Sequence, residues 1–204
     1  ALAAGLTLPW QKRRTTRAER QDYLMVHDLL ELNMGRGYYR HDHFELGPTY
    51  LSDASKSTAY TGGGYVGSDG SYDFFRYGGS AARKPIDYLE GDTVRRCCAE
   101  RAPTWRRKRI PFGIDNSAFQ LSAAKGRSRA PRLNDILRSL FELQIRCEFI
   151  LLTFWISTHD NYLADHLSRN RELAFWGALA GSGFVPPALL LTRHPQAGRT
   201  VNFS

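Results

Sequence analysis

Three short strand patterns follow one another early in the chain, and no helical pattern separates them. The first is a β-prone stretch at 49–51, the second covers 62–66, and the third covers 71–77. The Ser-Asp-Gly sequence at 68–70 is typical of the tight turn that joins two antiparallel strands. The sequence therefore predicts a three-stranded antiparallel meander.

After the meander, helical and strand patterns alternate. The predicted elements are a helix at 86–101, a strand at 110–114, helices at 116–124 and 132–146, a strand at 149–156 and a last helix at 162–169. This order predicts an α/β fold, a mixed sheet with helices on its faces. Right-handed crossovers would place five strands in the order 3-2-1-4-5, with only strand two antiparallel to the rest. The nearly continuous apolar run of the fifth strand predicts burial on both faces.

The α/β pattern occupies only part of the chain. We expect the domain to cover 47–170. Residues 1–46 are predicted to be a connector with one helix, which Gly35 and Gly37 would end. The segment 171–204 is a tail that the sequence pattern does not assign to any role.

The net charge favours a polyanionic partner. Lys and Arg total 28 against 20 acids, which gives a formal charge of +8 and suits nucleic acid or an anionic membrane surface. The longest apolar stretch, at 149–156, is far shorter than the roughly 20 residues that span a bilayer. The three cysteines are odd in number and form no C-x-x-C pattern, so we expect reduced thiols in an intracellular protein.

Four acids stand at structurally informative places. Asp53 lies in the first strand, Glu90 near the start of the following helix, Asp115 after the fourth strand and Asp165 on the last helix. Strands one and four are neighbours in the predicted order, so two of these acids can meet there. Converging carboxylates repel one another unless divalent cations bind them, and oxygen ligands suit Mg²⁺ or Mn²⁺. By position alone, each could equally be an ordinary surface acid.

The residues around these acids match motifs of one enzyme family. The motifs are YLSDAS at 50–55, IDYLE at 86–90, IDNSA at 114–118 and NYLADHLSR at 161–169. In this order they resemble the ribonuclease H domains of retroelement reverse transcriptases, of the LTR or the tyrosine-recombinase type. The last motif, which is similar to N-x-x-A-D-x-L-S-R, is the most specific. The KGRS sequence at 125–128 also resembles the tyrosine-recombinase group.

The resemblance implies a fold, a chemistry and partners. The fold would be the five-stranded mixed sheet of ribonuclease H, and the activity would be hydrolysis of the RNA strand of RNA–DNA hybrids. Two Mg²⁺ or Mn²⁺ ions would be bound by the four acids, Asp53, Glu90, Asp115 and Asp165, which would also be the catalytic residues. The polymerase domain of the same polyprotein would be a further partner, and 1–46 would lie in the tether after it.

Two local features depart from the family's pattern. His159 lies in a loop that is shorter than the His-bearing loop of cellular relatives, and it is a candidate for proton transfer or product release. Gly91 stands where the family usually keeps a good helix former. A glycine inside a helix lowers its stability by about 1 kcal/mol relative to alanine.

Basic clusters and polar neighbours of the acids are candidates for substrate binding. Arg106 and Arg107 belong to a basic run at 95–109, and a second basic group includes Lys125 and Arg127. Such clusters bind phosphates without sequence preference. Hybrid recognition also needs contacts to 2′-hydroxyls, for which Asn116 and Ser117 are candidates because they follow Asp115.

Other functions remain open from the sequence. A catalytically inactive ribonuclease H-like connection or nucleic-acid-binding module would keep the fold, and an integrase or transposase would use a similar acid cluster. The four intact acids favour an active enzyme, and the ending at 161–169 argues against an integrase.

Two other patterns are rejected as sites. The TGGG sequence at 61–64 lacks the Gly-Lys-Ser/Thr of a phosphate loop and opens a strand. The sequence His41-Asp42-His43 has no second ligand pair at metal-binding spacing.

Overall fold

The computed structural model describes residues 15–31, 43–181 and 200–201. By its internal contacts the chain divides into two units, 1–37 and 38–204. The first unit contains helix α1 (Arg17–Glu31), which has no buried side chain. The helix expected in this part of the chain is thus present, while its predicted end at Gly35 and Gly37 lies outside the described residues, as do His41 and Asp42.

The second unit is built on one mixed sheet that has seven strands among the described residues. The strands are β1 (Glu45–Leu46), β2 (Tyr50–Lys56), β3 (Thr61–Gly67), β4 (Tyr72–Tyr77), β5 (Lys108–Ile114), β6 (Ile150–Trp155) and β7 (Thr200–Val201). The five long strands lie in the order β4-β3-β2-β5-β6. Strand β3 is antiparallel to both neighbours, whereas β2, β5 and β6 are parallel. The predicted fold class and the order 3-2-1-4-5 are confirmed.

Two very short strands extend the predicted five. Strand β1 pairs in parallel with the start of β5, and β7 pairs in parallel with the end of β4. Each contributes only two residues. They lengthen the sheet without changing the order of its central strands.

Five helices accompany this sheet in the described part of the second unit. They are α2 (Ile86–Arg101), α3 (Ser117–Lys125), α4 (Pro131–Cys147), α5 (Tyr162–Ser168) and α6 (Glu172–Gly181). Their ends follow local chemistry: Asn116 caps α3 at its start, and Gly126 adopts the left-handed conformation at its end. Pro131 occupies the first turn of α4, where its missing N–H has no helical partner to lose.

Helices cover both faces of the sheet. On one face, Tyr50, Phe112 and Ile114 pack with residues of α2, α3 and α4 in the main core. On the other face, Val66, Tyr72 and Phe74 pack with α5 and α6. The sheet thus holds both groups of helices through its alternating side chains.

Helix α6 lies in the segment that the sequence pattern left unassigned. Its Phe175 and Leu179 are buried against the sheet, and Phe175 lies 5.3 Å from Tyr72 between ring centroids. At least 172–181 therefore packs on the sheet. None of the helices that the structure describes combines the length and hydrophobicity needed to cross a lipid bilayer.

The prediction that the fifth long strand is buried on both faces is wrong. Leu152, Phe154 and Trp155 of β6 are 43%, 39% and 57% exposed. Among the described residues β6 pairs only with β5 and forms an edge, and helix α5, on the face of Leu152 and Phe154, packs mainly on β2, β3 and β4. An apolar run indicates that a strand favours burial, but it does not predict whether the strand lies in the centre or at the edge of the sheet.

Candidate metal centre

Three of the four predicted acids meet where the end of β5 lies beside the middle of β2. Asp53 lies in β2, Asp115 follows β5, and Glu90 lies on α2, which packs across β2. One carboxylate oxygen from each lies within 4.8 Å of those of the other two. The register explains the first pair, since Ser52 of β2 is opposite Ile114 of β5 and each acid is the next residue.

Glu90 reaches this group because α2 approaches its neighbouring helices closely. A Cβ on Gly91 would lie 2.6 Å from the Phe119 ring of α3 and 3.1 Å from Ile136 of α4. A larger side chain at this position would push the helices apart. The glycine that weakens α2 by its own propensity thus permits the packing that positions Glu90.

Positive charge compensates the three carboxylates only in part, because Arg169 acts to lower the pKa of Asp53 and Asp115 but is hydrogen-bonded to Asp165. Burial raises the pKa of Asp53 to about 6, against the effect of a hydrogen bond from Ser168, and the nearby Asp115 and Asp165 raise it further. Burial, followed by the charges of Asp53 and Asp115, holds the pKa of Glu90 well above its usual value. Burial is also the main reason that the pKa of Asp115 is raised.

The donor set fits a divalent cation. The backbone of Ala54 acts to lower the pKa of Glu90, but the buried Oε2 of Glu90 has no hydrogen-bond partner among the described residues. A buried carboxylate oxygen without a partner is costly. Three convergent oxygen ligands with one such atom among them suit Mg²⁺ or Mn²⁺.

Asp165 lies beside this group and is not part of it. Its Oδ1 accepts a hydrogen bond of 2.6 Å from Nε of Arg169, one turn later on the chain. Its charge nevertheless contributes to the raised pKa values of Asp53 and Asp115. The structure therefore brings three of the predicted ligands together and pairs the fourth with an arginine.

The motif at 161–169 fastens α5 to the sheet next to Asp53. The buried Asn161 donates from Nδ2 to the carbonyl oxygen of Ser52 at 2.9 Å. At the other end of the helix, the buried Ser168 donates from Oγ to Oδ2 of Asp53. These two contacts link both ends of α5 to consecutive residues of β2.

The glycine run at 61–64 allows this close approach. A Cβ on Gly64 would lie 2.6 Å from Cβ of Leu167 and 2.8 Å from the nitrogen of Ser168, and one on Gly62 would meet the Ser168 carbonyl oxygen. The rejection of a phosphate loop agrees with this geometry, because the run lies inside β3. Gly62 and Gly64 point to the same face of β3, and glycines at alternate positions of a strand are a sequence signal that another element packs closely on that face.

The loop that carries His159 is tied to Asp115 by residues that sequence reasoning missed. Thr158 donates from Oγ1 to Oδ2 of Asp115 at 3.1 Å, and Nε1 of Trp155 donates to the Asp115 carbonyl oxygen at 3.2 Å. His159 itself is 97% exposed, with Nδ1 3.5 Å from Oδ1 of Asp160. A threonine and a tryptophan carry no sequence signal for this role.

The residues near α3 that are predicted to bind nucleic acid lie at the two ends of this helix. Asn116 accepts from the backbone N–H of Phe119 at 3.0 Å and so caps the helix, and Ser117 is exposed beside it. At the far end, Lys125 and Arg127 help to line a surface cleft of about 620 Å³. Nine helical residues separate the two ends by about 13 Å.

Arg106 and Arg107 lie at the opposite end of β5 from Asp115. The strand between them has seven residues, a length of about 23 Å. Arg106 donates to Glu148 at 3.1 Å, and Nε of Arg107 lies 3.9 Å from the same carboxylate. The structure does not bring these arginines to the acid group, and their contact with a substrate stays a prediction.

Comparisons with known proteins identify the fold. No family model matches the sequence, and no curated protein matches it significantly. Ribonuclease H1 from the halophilic archaeon Halobacterium salinarum NRC-1 is similar in structure, with a TM-score of 0.50 and 13% identity over 62% of this chain and 98% of that chain.

Two further solved structures match with lower TM-scores. The N-terminal ribonuclease H domain of a Mycobacterium tuberculosis protein, fused to maltose-binding protein, has a TM-score of 0.43 and 14% identity over 65% of this chain and 99% of that chain. The foamy viral protease-reverse transcriptase in complex with an RNA/DNA hybrid has a TM-score of 0.40 and 13% identity over 82% of this chain and 24% of that chain. From the first similarity and the strand order, the chain has the ribonuclease H fold.

Proposed function

We propose that this chain is a metal-dependent endonuclease that hydrolyses the RNA strand of RNA–DNA hybrids within a retroelement reverse transcriptase. The observation that carries the proposal is the convergence of Asp53, Glu90 and Asp115 from three separate elements. Such a group has an unfavourable electrostatic energy in the folded protein without a cation. A scaffold that only binds nucleic acid has no use for it.

The acids provide the metal site in this proposal. Asp53, Glu90 and Asp115 would hold two Mg²⁺ or Mn²⁺ ions, with Asp165 available once it leaves Arg169. Ions bound there would activate water and stabilise charge on the phosphate. The chain's own part is to keep the carboxylate oxygens in place, and His159 on its exposed loop is a candidate for handling a proton or the product.

The substrate would lie along α3. Asn116 and Ser117, next to Asp115, are placed for 2′-hydroxyl contacts, while Lys125 and Arg127 would bind phosphates further along the strand. Neither basic side chain takes part in an ion pair among the described residues. The RNA–DNA hybrid and the polymerase domain of the same polyprotein would be the partners, inside the cell.

A cleavage assay tests the proposal. A hybrid with labelled RNA, incubated with the protein and Mg²⁺, should lose its RNA strand, and EDTA should stop the reaction. Duplex DNA and duplex RNA of the same sequence should stay intact. An inactive binding module would bind the hybrid without cutting it, and an integrase-like enzyme would cut duplex DNA; either outcome would overturn the proposal.

A further inference from the structure

Ser168 is the last residue of α5 and is fully buried. Its Oγ lies within hydrogen-bond distance of two acceptors, Oδ2 of Asp53 and the Asp165 carbonyl oxygen at 3.0 Å. The single proton is assigned to Asp53, which is the closer and the charged acceptor. Within the described part of the chain Ser168 is the only side chain or backbone group that donates to this carboxylate. Asp53 is therefore held by one hydroxyl on one of its two oxygens.

The backbone around this hydroxyl has little freedom to move. Ser55 donates from Oγ to the Ser168 carbonyl oxygen at 2.7 Å. On the other side, Gly62 and Gly64 let the helix end lie directly on the backbone of β3. The helix end is thus held on the sheet without Asp53, and its close approach to the backbone of β3 does not depend on the Ser55 hydrogen bond.

We propose that Ser168 is a positioning residue for the metal site, and the proposal rests on the metal site proposed above. The terminal torsion of an aspartate is broad, so a buried carboxylate without a donor can rotate. By binding Oδ2, Ser168 fixes this rotation and leaves Oδ1 of Asp53 available as a ligand beside Glu90 and Asp115. Loss of such a supporting hydrogen bond typically lowers metal affinity or activity about 10- to 100-fold.

Mn²⁺ binding to the protein without nucleic acid tests this role directly. Free Mn²⁺ is measured by electron paramagnetic resonance during titration of wild type, Ser168→Ala and Ser55→Ala. Ser168→Ala should bind Mn²⁺ about tenfold more weakly. Ser55→Ala is the matched control because it removes a hydrogen bond to the same helix end but does not touch Asp53. Its Mn²⁺ affinity should stay within about twofold of wild type, since no supporting contact of a ligand is lost.

A third variant covers the case in which Ser168→Ala does not fold. Ser168→Cys keeps a side chain of similar shape with a weaker donor, so its Mn²⁺ affinity should lie between those of wild type and Ser168→Ala. In the cleavage assay, the Mg²⁺ concentration for half-maximal rate should rise in both variants, whereas the KM for the hybrid should not change. A purely structural role would instead lower the melting temperature of Ser168→Ala and Ser55→Ala together.

The outcomes separate this inference from the proposed function. Equal Mn²⁺ affinity in wild type and Ser168→Ala, or an equal loss in Ser55→Ala, overturns the positioning role even if the protein cuts hybrids. Mn²⁺ binding with the expected loss in Ser168→Ala supports it even if no hybrid is cut, in which case only the proposed function fails. A wild-type protein that binds no Mn²⁺ overturns the positioning role, and if it also leaves hybrids uncut, the proposed function fails as well.

Discussion

Two buried acids on α2, Glu90 and Asp92, are only two residues apart and have opposite surroundings. Asp92 accepts from Arg95 at 2.6 Å and from Arg96 at 2.7 Å, and the Tyr77 hydroxyl donates to it at 3.2 Å. Glu90 has no cationic partner among the described residues, and its nearest charges are other carboxylates. One acid is compensated by the chain itself, whereas the charges that act on the other are those of carboxylates. In the function proposed above, the first acid is structural and the second is a metal ligand.

The largest effect should come from Glu90→Gln. The variant keeps the shape of the side chain and removes one negative charge, so metal binding should weaken and hybrid cleavage should fall by orders of magnitude. Repulsion in the metal-free protein also falls, so its melting temperature in EDTA should hold or rise. Cleavage rates and thermal unfolding measure the two effects. Cleavage at the wild-type rate would show that Glu90 is not a ligand.

Asp92→Asn should lower the stability of the folded protein without weakening metal binding, the reverse of the result expected for Glu90→Gln. Removing the charge leaves Arg95 and Arg96 without their shared partner, and breaking a buried pair costs about 3 kcal/mol. The free energy of unfolding, measured in urea, should fall accordingly, while Mn²⁺ affinity of the folded protein should not change. If Asp92→Asn and wild type have equal free energies of unfolding, the ion pairs of Asp92 do not stabilise the folded protein, and the proposed contrast with Glu90 is wrong.

Metal addition should distinguish the same two variants in one measurement. A metal at ten times its Kd stabilises the folded state by about 1.4 kcal/mol. Wild type and Asp92→Asn should therefore both melt at a higher temperature in Mg²⁺ than in EDTA. Glu90→Gln should show little or no increase. An equal increase in all three proteins would place the bound metal elsewhere.

A smaller effect is expected at Asp69, a second carboxylate that the chain compensates. Burial acts to raise the pKa of Asp69, but hydrogen bonds from Ser71 and Tyr50 outweigh it, so the pKa lies below its usual value. A lowered pKa contributes stability above the unfolded-state value of about 3.9, and this contribution is lost as pH falls through the folded-state value. Asp69→Asn should cost about 1 kcal/mol at pH 6.

Urea unfolding from pH 6 to pH 3 checks this pH dependence. The difference between wild type and Asp69→Asn should shrink as the pH falls, because protonation removes the same interaction from wild type. Asp92→Asn serves as a comparison in the same series. A difference that is constant over the whole range would mean that the charge of Asp69 does not contribute.

Local patterns were sufficient for most of the sheet. The meander at 49–77 and the alternating elements after it predicted the order of the five long strands because connection rules leave few topologies. They failed for β6, where Leu152 and Phe154 are exposed. Hydrophobicity along a strand is a local property, whereas an edge position depends on which other strands are present.

At the candidate site, too, local patterns predicted some features, and others depended on the tertiary structure. Motifs marked Asp53, Glu90 and Asp115 as ligands, and a parallel pairing of β2 with β5 was enough to predict that two of them meet. They did not show that Asp165 is bound to Arg169. Nor did they separate Arg106, at the far end of β5, from the basic residues near α3. Distances between residues remote in sequence were not available from motif order.

The sequence alone determined the types and order of the elements from β2 to α5 and the chemical class of the side chains at the site, because periodicity, turn residues and motifs are local. Only the tertiary structure decided which atoms are in contact. Ser168 lies 115 residues from Asp53 along the chain, and Gly64 permits their contact from a third element. A hydrogen bond of this kind depends on positions within a few tenths of an ångström, and packing of the whole domain sets those positions.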